Sequence, residues 1–416
     1  HGCAVVMETK TGEVRAISNL GKSDEGTYFE KRNYAIWESH EPGSTFKLAS
    51  LIAAIDDKVI DTSTVVDTDG GIMFIHGSKV EDSKKGGYGK ISAARVFEVS
   101  SNVGIVKLIR QHYDNNPQKF YDNIEKYGFT KPVGFQIKGE GMPYVPSPKD
   151  KNRWSKISLE WMSWGYGISI TPMQTLMFYN AVANDGIMVK PRFVKELRKQ
   201  NITEKVFTAE VVNPKIASTE TLKKVRKVME NVVIRGTAQN IYSPNFSMAG
   251  KTGTAKKYIS AHKSENGEQV SGHYSSERYV ASFVGFFPAD KPKYSCIVVV
   301  HEPDKNKGYY GSTVAAPIFK EIAQKIYTST PIDRQSVNDF VAFSSIDNEY
   351  KNYQKMLQSK HDLVPNVEGM SGMDAVSLLE NIGLKVKISG IGKVKNQSIK
   401  SGEKLKKGNT ITLKLL

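Results

Sequence analysis

The chain has 416 residues, of which 39% are hydrophobic and 10% aromatic, enough for one large globular domain and a smaller second one. No apolar run approaches roughly 18 residues, so the sequence contains no candidate membrane-spanning helix, and no stretch has the pattern of a signal peptide. The formal net charge of +15 is spread along the chain without a nucleic-acid motif, so we predict a solvated basic surface and no nucleic-acid partner.

The first elements are two apolar runs joined by a short turn that contains glycine. The runs read CAVVMET and EVRAISN, and Lys10-Thr11-Gly12 lies in the turn, a pattern that predicts a β-hairpin. Because His1 stands almost directly before the first strand, we expect this chain to be a fragment whose upstream part is missing.

The helical patterns lie in the middle of the chain. Residues 93–113 predict two short helices around a polar Ser-Ser-Asn, and residues 171–186 predict a helix that begins at Pro172 and stops at Gly186. The stretch after Gly43 has the i, i+3, i+4, i+7 spacing of a helix with one buried face, carried by Leu48, Leu51, Ile52 and Ile55.

A second hairpin and a closing helix follow. Residues 279–303 predict two apolar strands around a Pro-Asp turn region, and residues 314–327 predict a helix. Residues 255–278 are polar and rich in Gly and Ser, so we predict a long loop there. Strands at both ends and helices between them favour an α+β fold, with an antiparallel sheet completed by both chain ends and flanked by helices.

The last part of the chain has a different character. Residues 331–361 are polar and irregular and predict a linker after a first domain of residues 1–330. Residues 362–416 predict a small α+β module, because one helix face and the strand-like runs LKVKIS and TITLKL fall within it. About 55 residues suffice for a marginal domain.

The cysteines and histidines carry no metal-binding pattern. Cys3 and Cys296 both lie in apolar runs, so we predict buried thiols, with one disulfide conceivable if the two strands are neighbours. The eight histidines are scattered, with neither HExxH nor paired ligands. We therefore predict no metal site and no cofactor.

A serine and a lysine three residues apart begin the helix after Pro42-Gly43. At this spacing Ser44 and Lys47 share one helix face, so a lysine with a lowered pKa could take the proton of the serine hydroxyl. The positive end of the helix dipole favours developing negative charge at the same place. Taken alone the motif is common, and by itself it favours a helix N-cap at Ser44 beside a solvated lysine.

Two further motifs follow in the same order along the chain. Ser100 and Asn102 could relay a proton and hold a substrate carbonyl, although Ser-x-Asn in a helical break is commonly a local cap. Lys251-Thr252-Gly253-Thr254 would suit a peptide that ends in a carboxylate, because glycine permits close backbone approach and the hydroxyls and the ammonium bind an anion.

In this order and at these separations the three motifs are typical of serine β-lactamases and penicillin-binding proteins. Residues 1–330 resemble the transpeptidase domain of class B penicillin-binding proteins, and more closely the division-type ones. The resemblance extends through the segments TGEVRAISN, RNYAIWESHEPGSTFK, SSNVG, GYGISITPMQ, AGKTGTA, FVGFFPAD and YYGSTVAAPIFKEI. Residues 363–416 resemble a PASTA domain, through VPNVEGM, AVSLLENIGLKVKISGIGKVKNQS and GEKLKKGNTITLKL.

The resemblance implies a serine β-lactamase/transpeptidase-like fold and a set of site residues. Ser44 would be the acylated nucleophile, Lys47 its base, Ser100 the proton relay to the leaving D-alanine, and Asn102 the residue that orients the substrate amide. Lys251 would tune the proton network. The substrate carboxylate would be held by Thr252, Gly253 and Thr254, and the oxyanion by the backbone N–H groups of Ser44 and Thr254.

The resemblance also implies a function and partners. It implies a D,D-transpeptidase that cross-links peptidoglycan stem peptides during septal synthesis, with a D-Ala-D-Ala donor, an amine acceptor and β-lactams as ligands. It implies an extracytoplasmic enzyme anchored by an N-terminal helix outside this chain, working with a glycosyltransferase and other division proteins. The PASTA module would be either a peptidoglycan-binding unit or a spacer.

Three rival functions remain open from the sequence. A β-lactamase needs a group that activates the deacylating water, and we find no Glu-x-x-Leu-Asn stretch between residues 102 and 251. A D,D-carboxypeptidase differs only in using water instead of the acceptor amine. A non-catalytic sensor or scaffold would retain binding, although all the catalytic side chain types are intact.

Overall fold

The two units of the computed structural model are His1–Thr330 and Pro331–Leu416, each with its own hydrophobic core. Residues 1–199, 202–263, 269–329, 356, 362–390 and 392–416 are described. Apart from Met356, the predicted linker 331–361 lies outside them, so the predicted domain boundaries stay a prediction. In the described part of the chain, no helix has the length and apolar character needed to cross a bilayer.

The helices lie mostly between the first and last strands of the first unit. They are α1 (Tyr34–Trp37), α2 (Lys47–Asp56), α3 (Ala93–Glu98), α4 (Asn102–Tyr113), α5 (Pro117–Lys126), α6 (Ser158–Ser163), α7 (Pro172–Ala183), α8 (Thr219–Arg235), α9 (Gly311–Ser329) and, in the second unit, α10 (Gly372–Asn381).

The strands include one long set and several short pairs. They are β1 (Gly2–Glu8), β2 (Val14–Lys22), β3 (Tyr28–Glu30), β4 (Val65–Asp67), β5 (Ile72–Ile75), β6 (Ser78–Glu81), β7 (Lys90–Ser92), β8 (Met188–Val189), β9 (Glu196–Lys199), β10 (Ile202–Val206), β11 (Val211–Asn213), β12 (Ala249–Ile259), β13 (His262–Lys263), β14 (Gln269–Val270), β15 (His273–Phe287), β16 (Tyr294–His301), β17 (Lys385–Ser389), β18 (Val394–Gln397) and β19 (Thr410–Leu415).

The main sheet joins both ends of the first unit. Its order is β12-β15-β16-β1-β2-β3, and every pairing is antiparallel. The first strand therefore lies between its own hairpin partner β2 and the late strand β16. Because α7 and α9 pack against β15 and β16, the apolar face of the sheet is covered by helices. The predicted α+β fold with an antiparallel sheet is confirmed.

The predicted helices of the first unit are also present. Thr171 and Gln174 form a capping box at the start of α7, with Pro172 in the first turn, as the sequence predicted. The break between α3 and α4 lies at Ser100, and the Ser101 hydroxyl caps α4 by accepting from the N–H of Gly104.

The predicted loop 255–278 is wrong for most of its length. Strand β12 continues to Ile259 and β15 begins at His273, and the two pair as an extended hairpin. Tyr258 lies opposite Tyr274. Aromatic side chains at paired positions stabilise two neighbouring strands, and the polar composition of the segment gave no sign of this pairing. Residues 264–268 at its tip lie outside the described residues.

The helix that follows the Ser44 motif is more deeply placed than its sequence pattern predicted. All residues from Lys47 to Ile55 are buried, rather than one face only. The cause is that α2 packs against α3, α4, α5 and α8 on several sides. The helix is therefore a fixed support in the centre of the unit, and its first residue is a lysine.

The second unit has a small mixed sheet in the order β17-β19-β18, with β17 and β19 parallel and β18 antiparallel to β19. Helix α10 packs on β17. The fully buried residues of this unit include Leu378 and Leu379 on α10 and Ile411 and Leu413 on β19. The predicted helix face and both predicted strands are present.

The two cysteines are buried free thiols, as predicted. Their strands β1 and β16 are indeed neighbours, but Cys3 pairs with Val299 and Cys296 pairs with Val6. Because the two residues are not opposite each other, they form no disulfide.

Candidate active site

Ser44 lies in a short 3₁₀ turn, Gly43–Thr45, immediately before α2. The turn approaches Gly165 so closely that a Cβ on Gly165 would lie 2.1 Å from the Gly43 carbonyl oxygen. The N–H of Gly43 donates to the Gly165 carbonyl at 3.0 Å, and Gly43 itself has φ +53°. Glycine is thus required on both sides of this contact, which fixes the position of Ser44.

The predicted cap position of Ser44 is wrong. The N-cap of α2 is Phe46, which makes no side-chain cap, and the 3₁₀ turn separates Ser44 from the helix proper. The Ser44 side chain is partly buried and makes no hydrogen bond to any described residue. A hydroxyl that is not used as a cap remains available for chemistry.

Lys47 is fully buried at the first position of α2. Its ammonium donates to the carbonyl of Ser100 at 2.7 Å, to the Ser100 hydroxyl at 3.2 Å and to Oδ1 of Asn102 at 2.6 Å. Two of the predicted motifs therefore meet at one nitrogen atom, although 53 to 55 residues separate them.

The backbone at Ser100 has an unusual conformation that makes this meeting possible. Ser100 has φ +59°, in the left-handed region that residues other than glycine rarely adopt. This turn between α3 and α4 presents both the carbonyl and the hydroxyl of one residue to Lys47. Such conformations persist where the surrounding structure determines them, often at functional sites.

Burial lowers the pKa of Lys47 to about 7, and the carboxylate of Asp82 opposes this effect in part. An amine with this pKa is partly neutral near neutral pH, so it can accept a proton. Asn102, the other partner of the ammonium, is itself oriented by donation from Nδ2 to the carbonyl of Glu81 at 2.7 Å.

Lys251 lies on β12 and is also fully buried. Burial and then the charge of Lys47 hold the pKa of Lys251 well below its ordinary value. Its ammonium group donates to the carbonyl of Thr252 at 3.1 Å and lies 5.6 Å from the centre of the Phe97 ring. The charge of Lys47 therefore acts on Lys251, although no hydrogen bond joins the two lysines among the described residues.

The other residues of the KTGT motif lie on the edge strand β12 and contact the 3₁₀ turn. A Cβ on Gly253 would lie 2.2 Å from the Ser282 hydroxyl and 2.9 Å from Cγ2 of Thr45, so only glycine fits there. The Thr252 hydroxyl lies 2.7 Å from that of Thr237, and the Thr254 hydroxyl accepts from the N–H of Gly311 at 2.9 Å.

The structure thus brings most of the predicted site together. Lys47, Ser100 and Asn102 are joined by hydrogen bonds, and the turn that carries Ser44 packs against the strand that carries Thr254. Among the described residues, neither Ser44 nor Lys251 is hydrogen bonded to this group. Ser44 lies in the 3₁₀ turn immediately before α2, of which Lys47 is the first residue.

Sequence reasoning missed Asp82. This buried carboxylate accepts from the Ser101 hydroxyl at 2.8 Å and from the backbone N–H groups of Asn102 at 2.5 Å and Val103 at 3.0 Å. Asp82 therefore binds the positive end of α4 and fixes the Ser-Ser-Asn break. The only signal was an acidic residue after a strand-like run, which does not identify a partner 20 residues away.

Sequence reasoning also missed Glu41. Its Oε1 accepts from the N–H of Gly167 at 2.8 Å and from the Tyr274 hydroxyl at 2.8 Å, and its Oε2 is buried without a partner. Burial raises the pKa of Glu41 to about 7. Glu41 therefore links the segment before Ser44 to the β12–β15 hairpin.

A match to a protein-family model establishes the family of this chain. The model of the penicillin-binding protein transpeptidase domain matches residues 2–324, and the model of the PASTA domain matches residues 362–415. The chain belongs to the penicillin-binding protein transpeptidase family. The predicted family and the serine transpeptidase fold are confirmed.

Curated relatives of this transpeptidase support the same assignment. Stage V sporulation protein D of Bacillus subtilis is 31% identical over 99% of this chain and 60% of the relative. Penicillin-binding protein PbpB of Mycobacterium tuberculosis is 31% identical over 77% of this chain and 46% of the relative, and the peptidoglycan D,D-transpeptidase FtsI of Escherichia coli K12 is 29% identical over 82% and 54%. The chain spans about half the length of the curated relatives it matches.

Solved structures of similar proteins share the fold. The transpeptidase domain of penicillin-binding protein 3 from Burkholderia pseudomallei is 26% identical, with TM-score 0.64 over 80% of this chain and 88% of that domain. Penicillin-binding protein 3 from Mycobacterium tuberculosis, complexed with ampicillin, is 28% identical, with TM-score 0.66 over 79% of this chain and 72% of that protein.

Proposed function

We propose that this chain is the catalytic part of a peptidoglycan D,D-transpeptidase of septal synthesis, with Ser44 as the nucleophile. The observation that carries the proposal is the environment of Lys47. The buried amine of Lys47, with a pKa of about 7, lies three residues after Ser44, a serine that does not cap the helix. The amine contacts both Ser100 and Asn102. Few structural roles need a lysine with these properties.

In the first step Lys47 accepts the proton of the Ser44 hydroxyl. A neutral lysine has two N–H donors and one lone pair, so one of its three present contacts is replaced by acceptance from Ser44. The Ser44 oxygen attacks the carbonyl carbon of the penultimate D-alanine of the donor stem. The resulting oxyanion is held by the backbone N–H groups of Ser44 and Thr254.

The tetrahedral intermediate then collapses to the acyl-enzyme. The C–N bond to the terminal D-alanine breaks, and the proton held by Lys47 passes through Ser100 to the leaving amine. Lys251 tunes this proton transfer. Thr252, Gly253 and Thr254 bind the terminal carboxylate of the substrate from the edge of the sheet, and Asn102 orients the substrate amide.

In the second step the amine of an acceptor stem attacks the ester carbon, the C–O bond to Ser44 breaks, and a proton of the attacking amine passes to the Ser44 oxygen, which leaves the cross-linked amide. β-Lactams resemble the donor terminus, acylate Ser44 and leave slowly. This agrees with the ampicillin and aztreonam complexes of the Mycobacterium tuberculosis relative. No metal or other cofactor takes part in either step.

We place the enzyme on the extracytoplasmic side of the membrane, attached by an N-terminal helix that precedes this chain. There it works with a glycosyltransferase and other division proteins, the partners that the resemblance to division-type penicillin-binding proteins implies. The PASTA module either binds peptidoglycan or acts as a spacer, and the second unit is compatible with both roles.

The proposal is tested by product analysis with a donor peptide that ends in D-Ala-D-Ala and an amine acceptor. We expect D-alanine release and a cross-linked peptide from the wild type, and neither product from Ser44→Ala. The exposed Ser63→Ala is the matched control and should behave as the wild type. Hydrolysed donor without cross-linked peptide would favour a D,D-carboxypeptidase, and no release from the wild type would favour a sensor.

A further inference from the structure

A cluster of two histidines and a glutamate lies away from the reacting groups. His1 precedes β1, Glu38 is the C-cap residue of α1, and His301 is the last residue of β16. Their potential ligand atoms all lie within 4.8 Å of one another. Nε2 of His1 is 2.6 Å from Oε2 of Glu38, and Nδ1 of His301 is 3.5 Å from Oε1 of the same carboxylate.

His301 is the most unusual member of this cluster. It is only 2% exposed, and neither of its ring nitrogens has a hydrogen-bond partner among the described residues. The ring is stacked on that of His1, with centroids 4.4 Å apart and planes within 12° of parallel, so the partly exposed His1 ring must turn before both rings can bind one ion. Buried polar groups are nearly always satisfied, so a buried imidazole with two free nitrogens calls for a ligand that the protein alone does not supply.

The ligand types of the cluster suit a cation, because a carboxylate and imidazole nitrogens carry lone pairs that can bind a metal ion. Lys257, the cation that faces the cluster, is paired with Glu302 at 2.7 Å.

We propose that His1, Glu38 and His301 form a binding site for a divalent transition metal ion of the zinc class. Two imidazoles and one carboxylate are the ligands that zinc accepts, whereas calcium and magnesium prefer oxygen alone. Around a tetrahedral zinc the ligand atoms lie about 3.3 Å apart, given Zn–N and Zn–O distances near 2.0–2.2 Å. The spacings of 2.6 and 3.5 Å lie on either side of that value.

The site is invisible to sequence spacing, which is why we predicted no metal from the sequence. Its ligands come from three separate elements: the pairing of β1 with β16 brings His1 to His301, and the packing of α1 against β1 brings Glu38. Three protein ligands leave a fourth position for water, which can enter because the side chain of His1 is 27% exposed.

A metal ion here would join three segments of the first unit. One of them leads from Glu38 through His40, which pairs with Ile170 by two backbone hydrogen bonds, to the turn of Ser44. The ion takes no part in acyl transfer. It would hold the segment before the nucleophile to the end of the main sheet, and it would stabilise the native state because the unfolded chain has no such site.

The test is a titration of the full 416-residue chain with zinc chloride, without a polyhistidine tag. The variants are Glu38→Gln, which keeps the shape of the side chain, and His301→Phe, which keeps the aromatic ring and removes both nitrogens. His76→Asn, at an exposed histidine, is the matched control. A preparation acetylated at the α-amino group of His1 separates ring binding from binding by that amine.

We expect the wild type, its acetylated form and His76→Asn to bind one zinc ion each and to gain thermal stability with zinc. Both cluster variants should lose more affinity than the roughly 10- to 100-fold that an outer-shell change typically costs. Without metal, His301→Phe should be at least as stable as the wild type, because phenylalanine buries no unpaired nitrogen. A thermal midpoint at or above that of the wild type would show that the variant folds. Cobalt should give a tetrahedral absorption spectrum with the wild type, its acetylated form and His76→Asn, and with neither cluster variant.

Two results would overturn the proposal. One is a wild type that binds no zinc at the stoichiometric level. The other is zinc binding and zinc-dependent stabilisation that persist in both Glu38→Gln and His301→Phe. Neither result bears on acylation of Ser44, so the metal proposal and the proposed function fail independently.

Discussion

At the scale of single residues, the protonation of Lys47 controls the proposed chemistry. Burial brings its pKa to about 7, so the amine is charged and inactive as a base below that pH and neutral above it. We therefore predict that the acylation rate constant for a labelled penicillin rises as pH increases through about 7 and then levels off. Rapid-mixing measurements across this range check it, and a rate independent of pH would contradict Lys47 as the base.

Asp82 provides a second prediction at the same scale. Asp82→Asn removes the anion that raises the pKa of Lys47 and weakens the attachment of the Ser-Ser-Asn break. We expect slower acylation, a pH midpoint displaced to lower pH, and a loss of about 1.5–3 kcal/mol in the free energy of unfolding.

The matched control for Asp82 is Glu81→Gln, because the side chain of Glu81 is exposed and pairs only with Lys79 on the surface. This variant should acylate at the wild-type rate. A pH midpoint that is the same in Asp82→Asn and in the wild type would show that the carboxylate does not act through Lys47.

The sequence contained the side chains of the site but not their contacts. Ser44, Lys47, Ser100, Asn102 and Lys251 were identified because their order along the chain matches a known family. Asp82 and Glu41 were missed because a lone carboxylate near a turn has no distinctive spacing, and its partners are chosen by tertiary packing.

At the scale of elements, the hairpin of β12 and β15 is joined to the segment before Ser44 by Glu41. The folded pKa of Glu41 is raised to about 7 from the ordinary 4.5. Between these values the folded state retains a proton that the unfolded chain has released, so the stability contributed by Glu41 falls as pH rises through this window. By the size of the shift, the loss is at most about 3 kcal/mol.

We predict that Glu41→Gln, which stays neutral, removes this pH dependence. Compared with the wild type, its thermal midpoint should be similar near about pH 5 and higher near about pH 8. Glu25→Gln, at an exposed position, is the control and should follow the wild type. If the thermal midpoints of Glu41→Gln and of the wild type differ by the same amount at both pH values, this role of Glu41 is excluded.

The helices and strands were largely predictable where the apolar periodicity agrees with the Pro and Gly residues that begin or end an element. Pro172 marked the start of α7, which ends at Ala183, three residues before the predicted stop at Gly186, and two apolar runs around a glycine-containing turn marked the first hairpin. The prediction failed at β12 and β15, where polar and glycine-rich composition concealed paired strands, and at α2, where one apolar face was expected and burial is complete. At α2 the deciding contacts come from distant parts of the chain, whereas β12 and β15 pair with each other as a hairpin.

At the scale of the whole molecule, the chain divides into two units with separate cores. We therefore predict that a chain ending at residue 329 folds and reacts with a labelled penicillin at the rate of the full chain. Thermal unfolding and acylation kinetics of both forms check this prediction. A large loss of acylation on removal of the second unit would show that the active site depends on it.

The fold class could be predicted at this scale because strands at both ends of the first unit and helices between them leave few alternatives. The sheet order and the pairing of β1 with β16 could not be derived from periodicity, since it does not specify which distant strands meet. The His1, Glu38 and His301 cluster follows from that pairing and was beyond reach for the same reason.

The central claim is that Ser44 is the residue acylated. The most direct test is reaction of the chain with a labelled penicillin, followed by peptide mass mapping of the wild type, Ser44→Ala and Ser63→Ala. We predict one adduct, on the peptide that contains Ser44, in the wild type and in Ser63→Ala, and none in Ser44→Ala. An adduct that survives Ser44→Ala, or that maps to another residue in the wild type, would contradict the assignment of the nucleophile.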